Sequence, residues 1–411
     1  MIAALTRIFG VHNLALAEDV VQDAFCRAVE VWKFRGVPEN PSAWLMATAK
    51  NRAIDILRRE RTARTYAPDL GRLLETEWTL APLVKELFQA NAIKDDQLRM
   101  MFTCCHPRLP EVAQVMLILR LLCGFGVGEI AGAFLSSEPA VEKRITRAKK
   151  VLAGTQTLFD LADADLPKRL SAVHRALYLL FNEGYHGASA EASVRRELCE
   201  ESLRLASLLC RHDLTATPAT YALSALMCLN AARLPARVDA AGNLSSLVDQ
   251  DRSLWDAGLV VDGQRLLDMS ATGIDLTEYH IEAAIASIHA DSTRTEDTDW
   301  AAIISLYDIL WTLRPSPVVA LNRAIAVAQY AGPERGLQEI RAIHRSDRLA
   351  EYPFYHAAIG ELELRRGRGR AACEYFKTAL GVARSPMERQ FLERRIEVCG
   401  EVPSPHPGDP P

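Results

Sequence analysis

The chain has 411 residues, is 49% apolar and 24% charged, and carries a formal net charge of −4. That length suits two to four domains with buried cores, and the composition excludes disordered and fibrous classes. No apolar stretch reaches the length of a bilayer span without a charge, since Arg120 interrupts Val112–Val127, and the start MIAALTRIFG lacks the pattern of a secretory signal, so a cytoplasmic protein without membrane contact is expected.

In chain order, residues 3–9 and 15–34 read as two helices separated by GVHN. In the second, Val20, Val21, Ala24, Phe25, Ala28, Val31 and Trp32 recur at helical spacing and predict the buried stripe. Glu18, Asp19, Gln22 and Asp23 fall on the opposite side and are expected to be exposed. Arg35–Asn40 is a short loop. Asn40 is placed as the N-cap of a long helix from Pro41 to about Thr62, with proline at the first position, where its missing N–H costs nothing. Its core stripe is predicted as Trp44, Leu45, Thr48, Ile54 and Leu57, surrounded by Lys50, Arg52, Arg58, Arg59 and Arg61. On periodicity alone that charge is an ordinary solvated helix face.

Residues 63–93 read as a linker. Helices resume at about Asp95–Thr103, Pro110–Cys123, Val127–Leu135 and Glu138–Ala153. In the last of these Val141, Ile145, Ala148 and Leu152 share one face, while Lys143, Arg144, Arg147, Lys149 and Lys150 occupy the others. Ser136 and Ser137 supply a turn and cap. Two helices, a tight turn and a basic second helix make a helix-turn-helix that binds DNA. Charge distribution agrees: residues 1–153 hold 21 Lys/Arg against 17 Asp/Glu, and the remainder 27 against 35. A basic first part suits a polyanion, and an acidic remainder suits another task.

A second helical region runs from about Leu166 to Gly400, and the proline-rich tail 401–411 is expected to be disordered. Near its end, SPVVALNRAIAVAQYAGPERGLQEIRAI and EYPFYHAAIGELELRRGRGRAACEYFKTAL overlay at an offset of about 34 residues, the tetratricopeptide period. Each has a helix, a turn with Gly332 or Gly367, and a second helix. Ala324, Ala328, Ala358 and Ala371 are the small residues expected to allow close helix approach.

Three features are discounted as chemistry. Nine scattered cysteines, with no CxxC pair, read as reduced thiols, and Cys26, Cys210 and Cys228 as small hydrophobes in apolar helical contexts. Cys104-Cys105-His106 reads as a helix-end structural motif and not as a metal or redox site. Glu183 and His186 have E-x-x-H spacing, but Gly184 and Gly187 make this a helix terminus. No catalytic residue, metal or cofactor is expected.

The combination AEDVVQDAF with its tryptophan, a proline-bearing loop and WLMATAKNRAIDILRRE resembles region two of extracytoplasmic-function (ECF) RNA polymerase sigma factors. GFGVGEIAGAFLSSEPAVEKRITRAKKVL is similar to their region four. Together these stretches cover about 110 of the first 153 residues. CCHP, FNEGYHGAS and SPVVALNRAIAVA resemble segments of the subgroup with long helical C-terminal extensions. Relative to the family, Met1 falls inside the first helix.

The resemblance implies that Asp19, Gln22 and Asp23 dock the β′ clamp helices of core RNA polymerase. The loop Arg35–Pro41 and the start of the next helix would capture a base flipped from the −10 element. Asn51, Arg52, Arg58 and Arg59 would hold the melted strand, where cations and stacking surfaces favour opening; Trp44 itself is expected in the core. Region four, against the β flap, would read the −35 element through Glu142, Lys143 and Arg144, with Arg147 and Lys150 on the phosphates.

The expected architecture is therefore all-α. It comprises a region-two domain (1–62), a linker (63–93), a helix-turn-helix region-four domain (94–155), a helical extension (166–400) and a tail (401–411). The expected function is promoter recognition and transcription initiation with core polymerase, without covalent chemistry. The extension is expected to regulate activity in cis, through a protein partner or by shielding the basic helices at Lys50–Arg64 and Lys143–Lys150; a passive appendage is the alternative. Two rivals remain: a helix-turn-helix regulator acting without core polymerase, and a helical-repeat scaffold or enzyme with a vestigial N-terminal part.

Overall fold

A computed structural model describes residues 1–63, 90–134, 136–154, 166–186, 195–238, 244–344, 349–383 and 386–401. Most of the expected linker and the tail beyond Glu401 lie outside the described residues. Among those described, every extended element is an α-helix, and the single β-type pairing is an isolated bridge between Val238 and Leu244. The chain is all-α.

Two compact units divide it, Met1–Leu177 and Tyr178–Pro411. The first opens with α1 (Ile2–Phe9), a 3-10 turn (Val11–Asn13), α2 (Leu14–Arg35) and α3 (Pro41–Ala63). Leu5 of α1, Ala17, Val20, Val21, Ala24 and Ala28 of α2, and Leu45, Met46, Ala49 and Ala53 of α3 form one core. Alanines on both sides of the α2–α3 contact leave no side-chain bulk to hold the helices apart. The reading of α3 is thereby corrected: Leu45 is buried, but Met46, Ala49 and Ala53 make the core with it, and Trp44, Thr48, Ile54 and Leu57 are half-buried flanks. Gly36 ends α2 at φ 75°, a left-handed conformation that glycine adopts without strain.

Four further helices follow: α4 (Ala90–Cys104), α5 (Glu111–Leu121), α6 (Val127–Ala133) and α7 (Glu138–Ala153). α5 is their centre, because Val115, Met116, Leu117, Ile118 and Leu119 are buried in succession, on every side of the helix. Met100, Met101 and Phe102 of α4 are fully buried beside it.

α8 (Leu166–His186) crosses the division between the units. The second unit continues with α9 (Arg196–Cys210), α10 (Pro218–Ala231), the short α11 (Leu234–Arg237), α12 (Ala257–Ser270), α13 (Glu278–Asp291) and α14 (Trp300–Leu313). It ends in α15 (Pro317–Ala331), α16 (Pro333–Arg341), α17 (Pro353–Arg365), α18 (Gly369–Gly381) and α19 (Pro386–Glu401). The pairs α15–α16 and α17–α18 are the two expected repeats, each turning at a glycine of positive φ, 87° at Gly332 and 75° at Gly367.

Close approach in these repeats comes from glycine as well as alanine. A Cβ on Gly336 would overlap Ala328 of the facing helix, and one on Gly360 would stand 3.0 Å from the Phe376 ring. Ala324 and Ala328 are buried as expected, whereas in the second repeat Ala372, and not Ala371, is fully buried. One residue along a helix is a turn of about 100°, and the large Phe376 sets which side of α18 faces inward.

Candidate nucleic-acid interface

Ser137 precedes α7 with extended backbone, and Pro139 lies in the first turn, where proline is pre-shaped for a helix. Val141, Ile145, Ala148 and Leu152 are buried, the stripe that the spacing predicts. Burying them fixes the rotation of the helix, so Glu142, Lys143, Arg144, Arg147 and Lys150 stand exposed. The short α6 is capped at its own start, where Glu129 Oε2 accepts from the Gly126 N–H at 2.6 Å.

The first-unit helices present a second charged surface. Asp19, Gln22 and Asp23 of α2 are exposed, as are Asn51 and Arg52 of α3. The two sets adjoin: Arg52 Nε donates to Asp23 Oδ2 at 3.1 Å, with both side chains about half exposed. The side chains of Arg58, Arg59 and Arg61 lie outside the described residues. Asn40 caps α3 as expected, its Oδ1 accepting from the Ala43 N–H at 3.0 Å. Trp44 is half-buried against the core, its ring centroid 5.5 Å from that of Trp32.

Two expectations for α2 are overturned. Phe25 is 50% exposed and not part of the stripe, and Glu18 is buried. Phe25 is one step beyond Ala24 and rotates away from α3 toward Gln22 and Val29. Glu18 faces away from solvent because α2 is covered on a second side by helices distant in the chain. Its Oε1 accepts from Arg120 Nε of α5 at 2.5 Å, and its Oε2 pairs with Lys149 Nζ of α7. Lys149 is accordingly half-buried and separate from the exposed cations of α7. A parallel pair joins Arg7 of α1 to Asp96 of α4 at 3.1 Å, with Asp96 only 2% exposed. Sequence reading also missed the exposed apolar residues Val29 and Phe34 of α2 and Val37 of the loop that follows it. The signal was available: none of them falls in the stripe through Val20, Ala24 and Ala28.

The discounted motifs have structural roles. α4 ends at Cys104, and Cys104 and Cys105 are fully buried, which raises the Cys104 thiol and pushes Cys105 up to about 12. Both thiols stay protonated and unreactive. The His106 carbonyl accepts from Gln114 Nε2, and its Nδ1 accepts from the Arg108 N–H at 3.1 Å. Burial lowers the His106 imidazole, with Arg169 and Arg108 acting in the same direction. Cys26 is exposed, contrary to its expected apolar setting, because it lies outside the α2 stripe. α8 ends at His186, and Gly184 lets it meet α9, where a Cβ would stand 2.8 Å from Leu198 Cβ. Burial pushes the Glu183 carboxyl up to about 7 against the opposing pull of Arg195.

An all-helical N-terminal unit carrying an exposed basic helix-turn-helix defines a DNA-binding protein of transcription. Residues 2–63 match the family Sigma-70 region 2, residues 99–152 match Sigma-70, region 4, and residues 169–271 match a family of unknown function (DUF6596). The chain belongs to the ECF-type sigma factors with a C-terminal extension. An uncharacterized protein of Rhizobium meliloti (strain 1021) is 38% identical over 404 residues, covering 98% of this chain and 93% of the relative. No solved structure matches the chain. Sigma regions two and four assign it a role in promoter recognition, with core RNA polymerase and promoter DNA as partners. No described helix is long and apolar enough to cross a membrane.

Proposed function

We propose that this sigma factor docks core RNA polymerase through Asp19, Gln22 and Asp23. In this reading Asn51, Arg52, Arg58 and Arg59 hold the opened −10 strand, beside the loop that follows Phe34 and contains Val37. Glu142, Lys143 and Arg144 meet base edges of the −35 element, and Arg147 and Lys150 meet its phosphates. The observation that carries the reading is the exposure of the ten assigned side chains that are described, against a core that fixes the rotation of α2, α3 and α7. Charged groups that take no part in a core or joint are free to meet a polyanion and an enzyme surface.

The helical extension regulates activity in cis. Its support is its length, its acidic balance and its stacked repeats, a form that presents surface to protein partners. Run-off transcription with purified core polymerase over a promoter library tests the whole reading. The full chain is expected to direct initiation from a shared pair of elements, and absence of initiation with any promoter sinks it. A chain ending after His186, which keeps all of α8, tests the extension. Equal transcription from both chains at every salt concentration leaves the extension without a regulatory part.

A further inference from the structure

Three arginines of the second unit converge on two aromatic rings. Arg233 precedes α11, Arg237 ends it, and Arg252 opens the 3-10 turn Arg252–Leu254. The Trp255 ring centroid lies 5.5 Å from the Arg233 Cζ and 5.3 Å from that of Arg252. The Tyr185 ring of α8 lies 4.2 Å from the Arg237 Cζ and 5.9 Å from that of Arg233. Contact with a ring face offsets part of the cost of withdrawing a cation from water, but a ring brings no net charge.

The counter-charge is missing. Among the described residues, neither Arg233 nor Arg252 forms an ion pair. Arg252 donates to the His289 and Ser292 carbonyls at 2.8 and 2.6 Å, at the C-terminal end of α13, where a cation is favoured in any case. Arg233 has no such reason to be there. Its Nε and Nη1 donate only to the neutral amides of Gln250 and Asn230, at 3.4 and 3.5 Å, the long end of hydrogen bonding. Burial lowers its guanidinium against Tyr185 and Tyr307, and Arg237 and Arg252 lower it further. Polar groups are also left over. Trp255 is 9% exposed and His289 is 7% exposed, and the Trp255 Nε1 and His289 Nδ1 have no hydrogen-bond partner among the described residues. An indole N–H can only donate, so what it lacks is an acceptor. Excess cation beside a spare donor suits a negatively charged oxygen. Arg233 and Arg252 are half-buried while Trp255 and His289 lie deeper, a recess that suits a small molecule and not a flat protein surface.

We propose that Arg233, Arg237, Arg252 and Trp255 form a binding site for a small molecule bearing an oxyanion, a phosphate or carboxylate group, and that the extension is a ligand-binding domain. Arg233 supplies the forked donor and Trp255 the indole N–H. Gln250 positions Arg233: it is buried, and its Nε2 donates to the Ser245 carbonyl at 3.2 Å, which leaves its Oε1 to the guanidinium. Arg252, tied to the end of α13, and Arg237 add charge. An anion bound there joins α8, α11 and α13 at one centre and stabilises the second unit according to its occupancy.

The test is calorimetric titration of the full chain with inorganic phosphate and, in a separate arm, with malonate, at an ionic strength held constant with chloride. Unfolding temperature is measured with the same anions, and helicity controls for folding. The wild-type protein is expected to bind at least one of the two saturably, and to unfold at a higher temperature in its presence. The tighter of the two anions distinguishes a phosphorylated ligand from a carboxylic acid. Arg233→Gln keeps an amide for Gln250 and removes the charge, and is expected to weaken binding roughly 10- to 100-fold. Trp255→Phe keeps a ring and removes the N–H, with an expected loss of about tenfold. Absence of saturable binding of both anions overturns the site. So does binding of wild-type strength in a folded Arg233→Gln chain or, should that chain not fold, in Trp255→Phe; the anion then sits elsewhere, and the arginines only brace Tyr185 and Trp255. Binding is read without polymerase or promoter, so failure of the sigma reading leaves this result standing.

Discussion

Two kinds of helix contact stand out, one in each unit, alongside the apolar core of the first and the ion pairs of the second, such as Arg323 with Asp308 and Glu339. In the first, the region-two and region-four helices meet through Glu18 with Arg120 and Lys149 and through Arg7 with Asp96. In the second, neighbouring helices meet through glycine: Gly263 against Leu229, Gly336 against Ala328, Gly360 against Phe376. A charged joint can be exchanged for water, for a partner or for salt, because each ion has an alternative solvation. A close-packed joint has no such alternative, since opening it leaves void and strain. The first kind of contact is therefore the easier to exchange, and the second the more costly to open.

The largest effect is expected where the close-packed joint is overfilled. Gly336→Leu places a side chain where even a Cβ meets Ala328, and should cost about 3 kcal/mol. The helix propensity gained over glycine, about 1 kcal/mol, is too small to offset it. Chemical denaturation of the full chain measures this; a loss below the propensity gain would mean that the repeat yields as readily as the charged joint.

Acid should act on the second unit through His289. Burial, with Arg233 and Arg252 nearby, lowers its imidazole from 6.5 to about 3, and its ring meets Trp300 edge-on at 5.3 Å. The folded state thus holds it neutral while the unfolded chain binds a proton below 6.5. Its contribution is complete above that pH and is lost as pH falls toward 3, about 2 kcal/mol by pH 5. His174, lowered to about 4 by burial, adds a shorter slope in the first unit. His289→Phe should flatten the stability-versus-pH curve between pH 5 and 7, and an unchanged slope would rule out this origin.

Within α7 the division of labour between faces can be sharpened. Lys143→Ala should relax base preference in the −35 element at a cost of roughly 1–3 kcal/mol. Arg147→Ala should weaken binding evenly across sequences and flatten its salt dependence. Binding isotherms over a −35 library at several salt concentrations distinguish them, and equal loss of preference from both would contradict the assignment. The smallest effect is expected at Asn40→Ala, which removes the cap of α3 and should cost about 1 kcal/mol in thermal unfolding without altering −35 preference.

Local chemistry was legible wherever a residue answers to its own helix. The all-α class, the buried face Val141, Ile145, Ala148 and Leu152, and the Asn40 cap follow from helical period and from hydrogen-bonding groups within a few residues. The misses share a cause. Phe25 is apolar and by period belongs to the stripe, although the alanines beside it make the contact with α3. Glu18 is charged and by period belongs to the open face, although it is buried. Its partners stand 102 and 131 residues away, and periodicity reports which side of a helix is apolar but not what will cover the other sides. The pairing of Asp23 with Arg52, the choice of Ala372 over Ala371 and the charged joint between the two sigma regions were therefore decided by tertiary packing, where desolvation and distance between remote groups set the outcome.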